Sequence, residues 1–283
     1  MVQASQVTEP LAYHGEGPVW HDAWGLVYVD MLAGDIMRLD PASGEVERHH
    51  VGDVAAVVRP RAGGGAVVAV ERGFALIDPG TAPEDARYLG DVWSDASVRM
   101  NEGGCDPDGR FYCGSMAYDK RAGAGAVYRL DPDGTWRTVL TGVTISNGFG
   151  FSPDGGTAYY VDTPTCRIDA FTYDSDAGLT DRRPLVDVAG RPDGLTVDSE
   201  GCLWVALFGG SAVLRYRPDG TLDDRVDIPV SQVTACTLGG PGLRTLYVTT
   251  SGEGREPGAQ PLAGAVFATE VGVPGLPALP FAG

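Results

Sequence analysis

Lysine is almost missing from this 283-residue chain: of its 21 basic residues only Lys120 is a lysine, and the rest are arginine. That bias is expected of a GC-rich coding sequence rather than of chemistry. Basic charge of any kind is also scarce, 21 residues against 38 acidic ones for a net charge of −17. A field of that sign repels phosphate backbones and anionic bilayers, so nucleic acid and membrane surfaces are excluded as partners. No segment approaches the ~20 apolar residues that span a bilayer, and the N-terminus lacks the basic start and apolar stretch of a secretory leader. A cytoplasmic protein is expected, a monomer or weak homodimer. The five cysteines include no C-x-x-C, and an odd count scattered through apolar runs fits buried, reduced thiols. Equally absent are a G-x-S-x-G elbow, an H-E-x-x-H helix and a phosphate-binding P-loop. Of the four histidines, the adjacent His49 and His50 lie in a polar stretch and are expected to face solvent, while His14, two residues from Glu16, is a pocket candidate.

What the chain has in excess is turn residues, 41 Gly and 20 Pro, without the periodicity of collagen. They punctuate a repeat. The segments WHDAWGLVYVD, RAGGGAVVAVE, DPDGRFYCGSM, SPDGGTAYYVD, DSEGCLWVALF and GGPGLRTLYVTT each place a glycine turn before a β-branched and aromatic run. Their turn glycines, Gly25, Gly65, Gly109, Gly155, Gly201 and Gly242, are spaced 40, 44, 46, 46 and 41 residues apart. A further strand follows most of these runs, and no segment carries a capped 3.6-residue period. The chain therefore reads as one all-β domain over residues 1–283, a six-bladed β-propeller of four-stranded antiparallel blades around a central channel. The last unit lacks its fourth strand, which an N-terminal strand over about 5–13 is expected to supply, closing the ring. The Pro- and Gly-rich tail, 271–283, is expected to strap the surface.

The repeat fixes a register. Counting back eight residues from the turn glycines reaches Asn101, Asn147 and Asp193, and nine from Gly25 reaches Glu16; the other two blades give Val57 and Thr234. Equivalent points of a propeller meet around one axis, so four oxygen-bearing side chains converge at the channel mouth. Asn147 precedes Gly148 and Asp193 precedes Gly194, pairs that each read equally as ordinary turns when taken alone. In the shared register, two carboxylates and two carboxamides form a set strained by repulsion unless a hard dication such as Ca²⁺ or Mg²⁺ lies between them.

The pieces GEGPVW, RMNEGGCDPDGRFYCGSM, SNGFGFSPDGGTAYYVDT, RPDGLTVDSEGCLWVALFGG and PLAGAVF, spread from residue 15 to 267, resemble the senescence marker protein 30, gluconolactonase and luciferin-regenerating enzyme family. The resemblance implies Glu16, Asn147 and Asp193 as ligands of one divalent ion, Ca²⁺ first, with Zn²⁺, Mg²⁺, Mn²⁺ or Fe²⁺ as alternatives. It implies Arg99, Asn101 and Glu102 as substrate contacts, with Tyr118 and Asp119 where acidic rim residues occur. The implied activity is hydrolysis of a sugar lactone or related ester, with Asp193 as general base. Calcium-dependent phosphotriester hydrolysis and non-catalytic metal or ligand binding stand as alternatives.

Overall fold

The computed structural model describes residues 2–256 and 258–283. Strands make up nearly all of the regular structure, and among the described residues the only helical elements are four single 3₁₀ turns. The six turn glycines of the repeat all adopt left-handed backbone, with φ of 72°, 74°, 75°, 73°, 79° and 70° from Gly25 to Gly242, a region costly for any residue with a Cβ. Each turn launches the strand that pairs antiparallel with the one before it, and the strands gather into six sheets. These are the six blades of a β-propeller.

The innermost strands are Gly15–His21, Ala55–Pro60, Val98–Cys105, Ser146–Phe151, Pro192–Val197 and Val233–Gly239, each touching the next until Val233–Gly239 returns to Gly15–His21. Middle strands are buried on both faces because every blade packs between two neighbours. That explains why Ala66–Val70 (AVVAV) and Leu203–Leu207 (LWVAL) are unbroken apolar runs rather than alternating ones. Outer strands such as Arg87–Asp91 face water and carry the charge.

In the sixth blade the outer position is taken by Ser5–Gln6, antiparallel to Phe267–Glu270. This strand is shorter than the expected 5–13: Val7 and Ala12 still donate to the carbonyls of Val266 and Gly264, but the intervening chain, with Pro10 at its centre, runs irregularly. Val2–Gln3 adds in parallel to Leu222–Asp227 of the fifth blade, a pairing with no sequence signal. The N-terminus thus ties two blades together. At the other end, the amides of Phe281 and Ala282 reach Pro60 and Gly109 at 2.8 Å each, so the tail crosses to the second and third blades. All five cysteines are free thiols, four buried and Cys166 exposed.

Candidate active site

Every innermost strand carries a break in its pairing register at the equivalent point: between Glu16 and Val19, Ala55 and Val57, Met100 and Gly103, Ser146 and Phe149, Pro192 and Leu195, and Val233 and Ala235. A bulge re-aims a side chain out of the pleat, and in four of the six blades the register residue in or beside the break, Glu16, Asn101, Asn147 or Asp193, lines one cavity. Asn147-Gly148 and Asp193-Gly194 are therefore strand residues, not hairpin tips. Their glycines answer a spacing demand: a Cβ on Gly148 would lie 2.7 Å from the Asp193 carbonyl oxygen, and one on Gly194 would lie 2.3 Å from the Ala235 Cβ. Adjacent blades approach too closely at the axis for any side chain there.

Glu16, Asn101, Asn147 and Asp193 all line one cavity of about 300 Å³ at the channel mouth, together with His14 and Arg99. All six are buried. The two remaining register positions are absent from its wall, since Val57 is core and the Thr234 hydroxyl donates to the Gly15 carbonyl at 2.6 Å. The carboxamides are locked by a relay across three blades. Arg99 Nη1 donates to Asn101 Oδ1 at 2.6 Å, Asn101 Nδ2 donates to Asn147 Oδ1 at 3.1 Å, and Asn147 Nδ2 donates to Thr163 Oγ1 at 2.8 Å. Thr163 Oγ1 in turn donates to the Pro192 carbonyl at 2.8 Å, next to Asp193. With its nitrogen committed to Thr163 and one lone pair of its oxygen to Asn101, Asn147 keeps the oxygen's second lone pair for a further partner.

The carboxylates are not so well served. Burial pushes Glu16 well above the ordinary carboxyl range, and the negative charges of Asp193 and Glu102 add to the effect; burial and Glu102 do the same to Asp193. Glu16 accepts from the Gly17 amide at 3.1 Å, whereas Asp193 Oδ1 is buried with no hydrogen-bond partner. An orphaned buried carboxylate oxygen beside a second carboxylate costs free energy that a hard dication recovers, so the donor set fits one. Among the described residues no three Asp, Glu, His or Cys side chains gather to hold a metal; the set is two carboxylates completed by carboxamide oxygen. Burial, aided by the charges of Arg99 and Lys120, lowers His14 to about 3, so it is neutral at physiological pH. Its Nδ1 lies 2.7 Å from Ser251 Oγ and its Nε2 3.9 Å from Glu16 Oε1.

Three of the expected substrate contacts are placed away from this wall. Glu102 is absent from the cavity wall; it accepts from Arg59 Nη2 at 2.8 Å and from the Gly103 amide, and acts on Glu16 and Asp193 through its charge alone. Tyr118 is exposed, donates to Glu71 Oε1 at 2.7 Å and places its ring 5.8 Å from the Arg99 guanidinium, which it backs. Asp119 is exposed and accepts from Arg121. The residue of that turn on the cavity wall is Lys120. Sequence reasoning also passed over Thr163, Arg191, Phe208 and Glu253, which arrive from loops outside the repeat register. As for the expected solvent-facing pair, His49 lies 2.8 Å from Glu84 Oε1 and His50 the same distance from Asp35 Oδ1.

Residues 14–252 match the model of the SMP-30/Gluconolactonase/LRE-like region. The chain is 38% identical to 6-deoxy-6-sulfogluconolactonase of Pseudomonas putida over 95% of each chain, and 37% identical to a pentonolactonase of Haloferax volcanii over 93% of this chain and 92% of that one. Among solved structures it is similar to regucalcin of Agrobacterium tumefaciens, a calcium-binding protein, with a TM-score of 0.91 at 27% identity, covering 99% and 98% of the two chains. With its six blades and its converging register residues, the chain belongs to the SMP-30/gluconolactonase/LRE-like family.

Proposed function

We propose that this protein is a divalent-metal-dependent lactonase that hydrolyses a sugar lactone to the open-chain aldonic acid. The reading is carried by the unpartnered Asp193 Oδ1, buried beside Glu16 in a cavity that also presents guanidinium and carboxamide donors. It is supported by relatives named as lactonases over nearly the full chain. Glu16, Asn147 and Asp193 would hold the ion, Ca²⁺ being the first candidate. Bound there, the ion supplies Lewis-acid polarisation of the ring ester and lowers the pKa of water.

The chain's own groups account for the remaining steps. Asp193, a carboxylate on the cavity wall, takes the proton of the attacking water as the water oxygen bonds to the carbonyl carbon. The ring C–O bond then breaks and the leaving ring oxygen takes the proton held by Asp193, so one water is consumed for each hydroxyl and carboxylic acid formed, and the acid ionises to its carboxylate by releasing a proton to solvent. Arg99, buried and bonded through Nη1 alone, leaves Nε buried without a partner, a donor suited to negative charge developing on the carbonyl oxygen. Met116 and Ile145 supply an apolar wall that limits water to the reacting face.

The test is a panel of sugar lactones and an activated phosphotriester, assayed with Ca²⁺-loaded protein against buffer. Lactones are expected to be the preferred class by kcat/KM, and Asp193→Asn is expected to lower turnover about 10²–10⁴-fold. Stoichiometric Ca²⁺ binding with no lactone turned over would replace the lactonase with a non-catalytic metal binder.

A further inference from the structure

Cations in this acidic chain are mostly spoken for. Arg48, Arg110, Arg129, Arg215 and others sit within 4.0 Å of one or more carboxylates. Against that background three cations on the wall of the catalytic cavity, Arg99, Lys120 and Arg191, make no carboxylate pair among the described residues. Arg99 is buried and committed to Asn101 and the backbone. Lys120 and Arg191 are exposed at the cavity's outer edge and hold no such partner.

The Arg191 side chain is held in place, and Lys120 stands on a fixed turn. Arg191 stacks over the Phe208 ring at 4.9 Å from its centre and lies beside Gly209, where a Cβ would come within 2.9 Å of Nη2. Its Nε donates to the Phe208 carbonyl at 3.3 Å, so the stack leaves the other nitrogens free. Lys120, the chain's single lysine, closes a tight turn by donating its amide to the Ala117 carbonyl at 2.9 Å, with φ of 59°. That turn is staked to its surroundings by Arg121, which donates to Asp119 and Ser97. Two of the cavity's three carboxylates, Glu16 and Asp193, are the ion ligands proposed above, which leaves Glu253 as the only negative charge of the wall against three positive ones.

We propose that the preferred substrate is a sugar lactone carrying an anionic group remote from the ring ester, a phosphate or sulfonate, gripped by Lys120 and Arg191. The inference rests on the lactonase reading and extends it to substrate class. In a molecule of net charge −17, an anion finds general repulsion everywhere except where fixed cations face it, so the pair selects as well as binds.

The experiment measures kcat/KM of the Ca²⁺-loaded full chain for gluconolactone and for its 6-phosphorylated and 6-sulfonated counterparts, in wild type, Lys120→Gln, Arg191→Gln and the charge-keeping Lys120→Arg. Wild type is expected to prefer the anionic lactones at least about 10-fold, and each neutralising variant to lower the anionic-to-neutral ratio about 10-fold, the loss of one charge-assisted hydrogen bond. Lys120→Arg is expected to retain the ratio, and raising salt to lower it. The two anions separate single from double negative charge. Efficient gluconolactone hydrolysis with a ratio near one, or a ratio unmoved by both neutralising variants, overturns the anionic preference and leaves the lactonase standing. Turnover of none of the three lactones overturns both.

Discussion

Asp193 is kept at a cost to the unliganded fold. Its Oδ1 has no partner, its neighbour Glu16 is also acidic, and burial raises both carboxyls. Removing that unmet demand should help the apo protein: Asp193→Asn is expected to stabilise it by about 1–3 kcal/mol in urea titrations while lowering turnover and removing the stability gained on adding Ca²⁺. An apo variant no more stable than wild type would mean that the carboxylate is satisfied without an ion. Thr163 acts through Asn147, whose Nδ2 it accepts. Thr163→Val leaves that carboxamide free to rotate, and Ca²⁺ affinity measured by calorimetry is expected to fall about 10–100-fold, the range found for groups that orient a ligand. Glu16, Asn147 and Asp193 were legible in the sequence as neighbours because each lies eight or nine residues before a turn glycine. Thr163, Lys120, Arg191 and Glu253 were not, because loops bring them to the cavity and no register predicts where a loop ends. Lys120 stands out as the chain's one lysine, but nothing in its sequence neighbourhood marks it as a cavity residue.

At the scale of elements, the repeat was readable because each turn needs left-handed backbone that glycine alone adopts cheaply, and because strands buried on both faces lose their polar alternation. The bulges were not readable: a register break depends on how two strands twist together, and Asn-Gly in a bulged strand looks the same as Asn-Gly in a hairpin. The C-terminal strap is a second case. Its proline content announced an irregular segment, but not that Leu276, Pro277, Ala278 and Leu279 line a cavity at the end of the channel opposite the site, or that Phe281 is buried with its amide on the Pro60 carbonyl. An aromatic anchor of that kind contributes heavily for its size. Phe281→Ala is expected to destabilise the protein by about 3–5 kcal/mol by chemical denaturation, with the lactone KM unchanged in the folded fraction, because the strap and the site lie at opposite ends of the channel. A loss below about 1 kcal/mol would mean that the tail is draped on the surface rather than anchored.

The whole molecule joins these levels through charge. Exposed carboxylates such as Asp133, Asp154 and Asp174 accept local hydrogen bonds that lower them, and they contribute stability at neutral pH that is lost on acidification. Glu16 and Asp193 act in the opposite sense. Their folded-state values are raised, so the folded apo protein holds protons that the unfolded chain releases near pH 4. Their contribution is fully present below that pH and is lost as pH rises through the raised folded values. A dication held by the deprotonated pair, as proposed, would displace those protons, so its affinity is expected to rise with pH. The stabilisation on loading, RT ln(1 + [L]/Kd), is about 2.7 kcal/mol at 100 times Kd and shrinks as the competing protons return. The Tm increment between EDTA-treated and Ca²⁺-loaded protein is therefore expected to be larger at pH 8 than at pH 5 in wild type and close to zero at both in Asp193→Asn. Comparing the two proteins cancels the exposed carboxylates, which they share. Equal wild-type increments at the two pH values would show that the ion does not bind through the buried carboxyl pair, and an increment that survives in Asp193→Asn would place it elsewhere on the propeller.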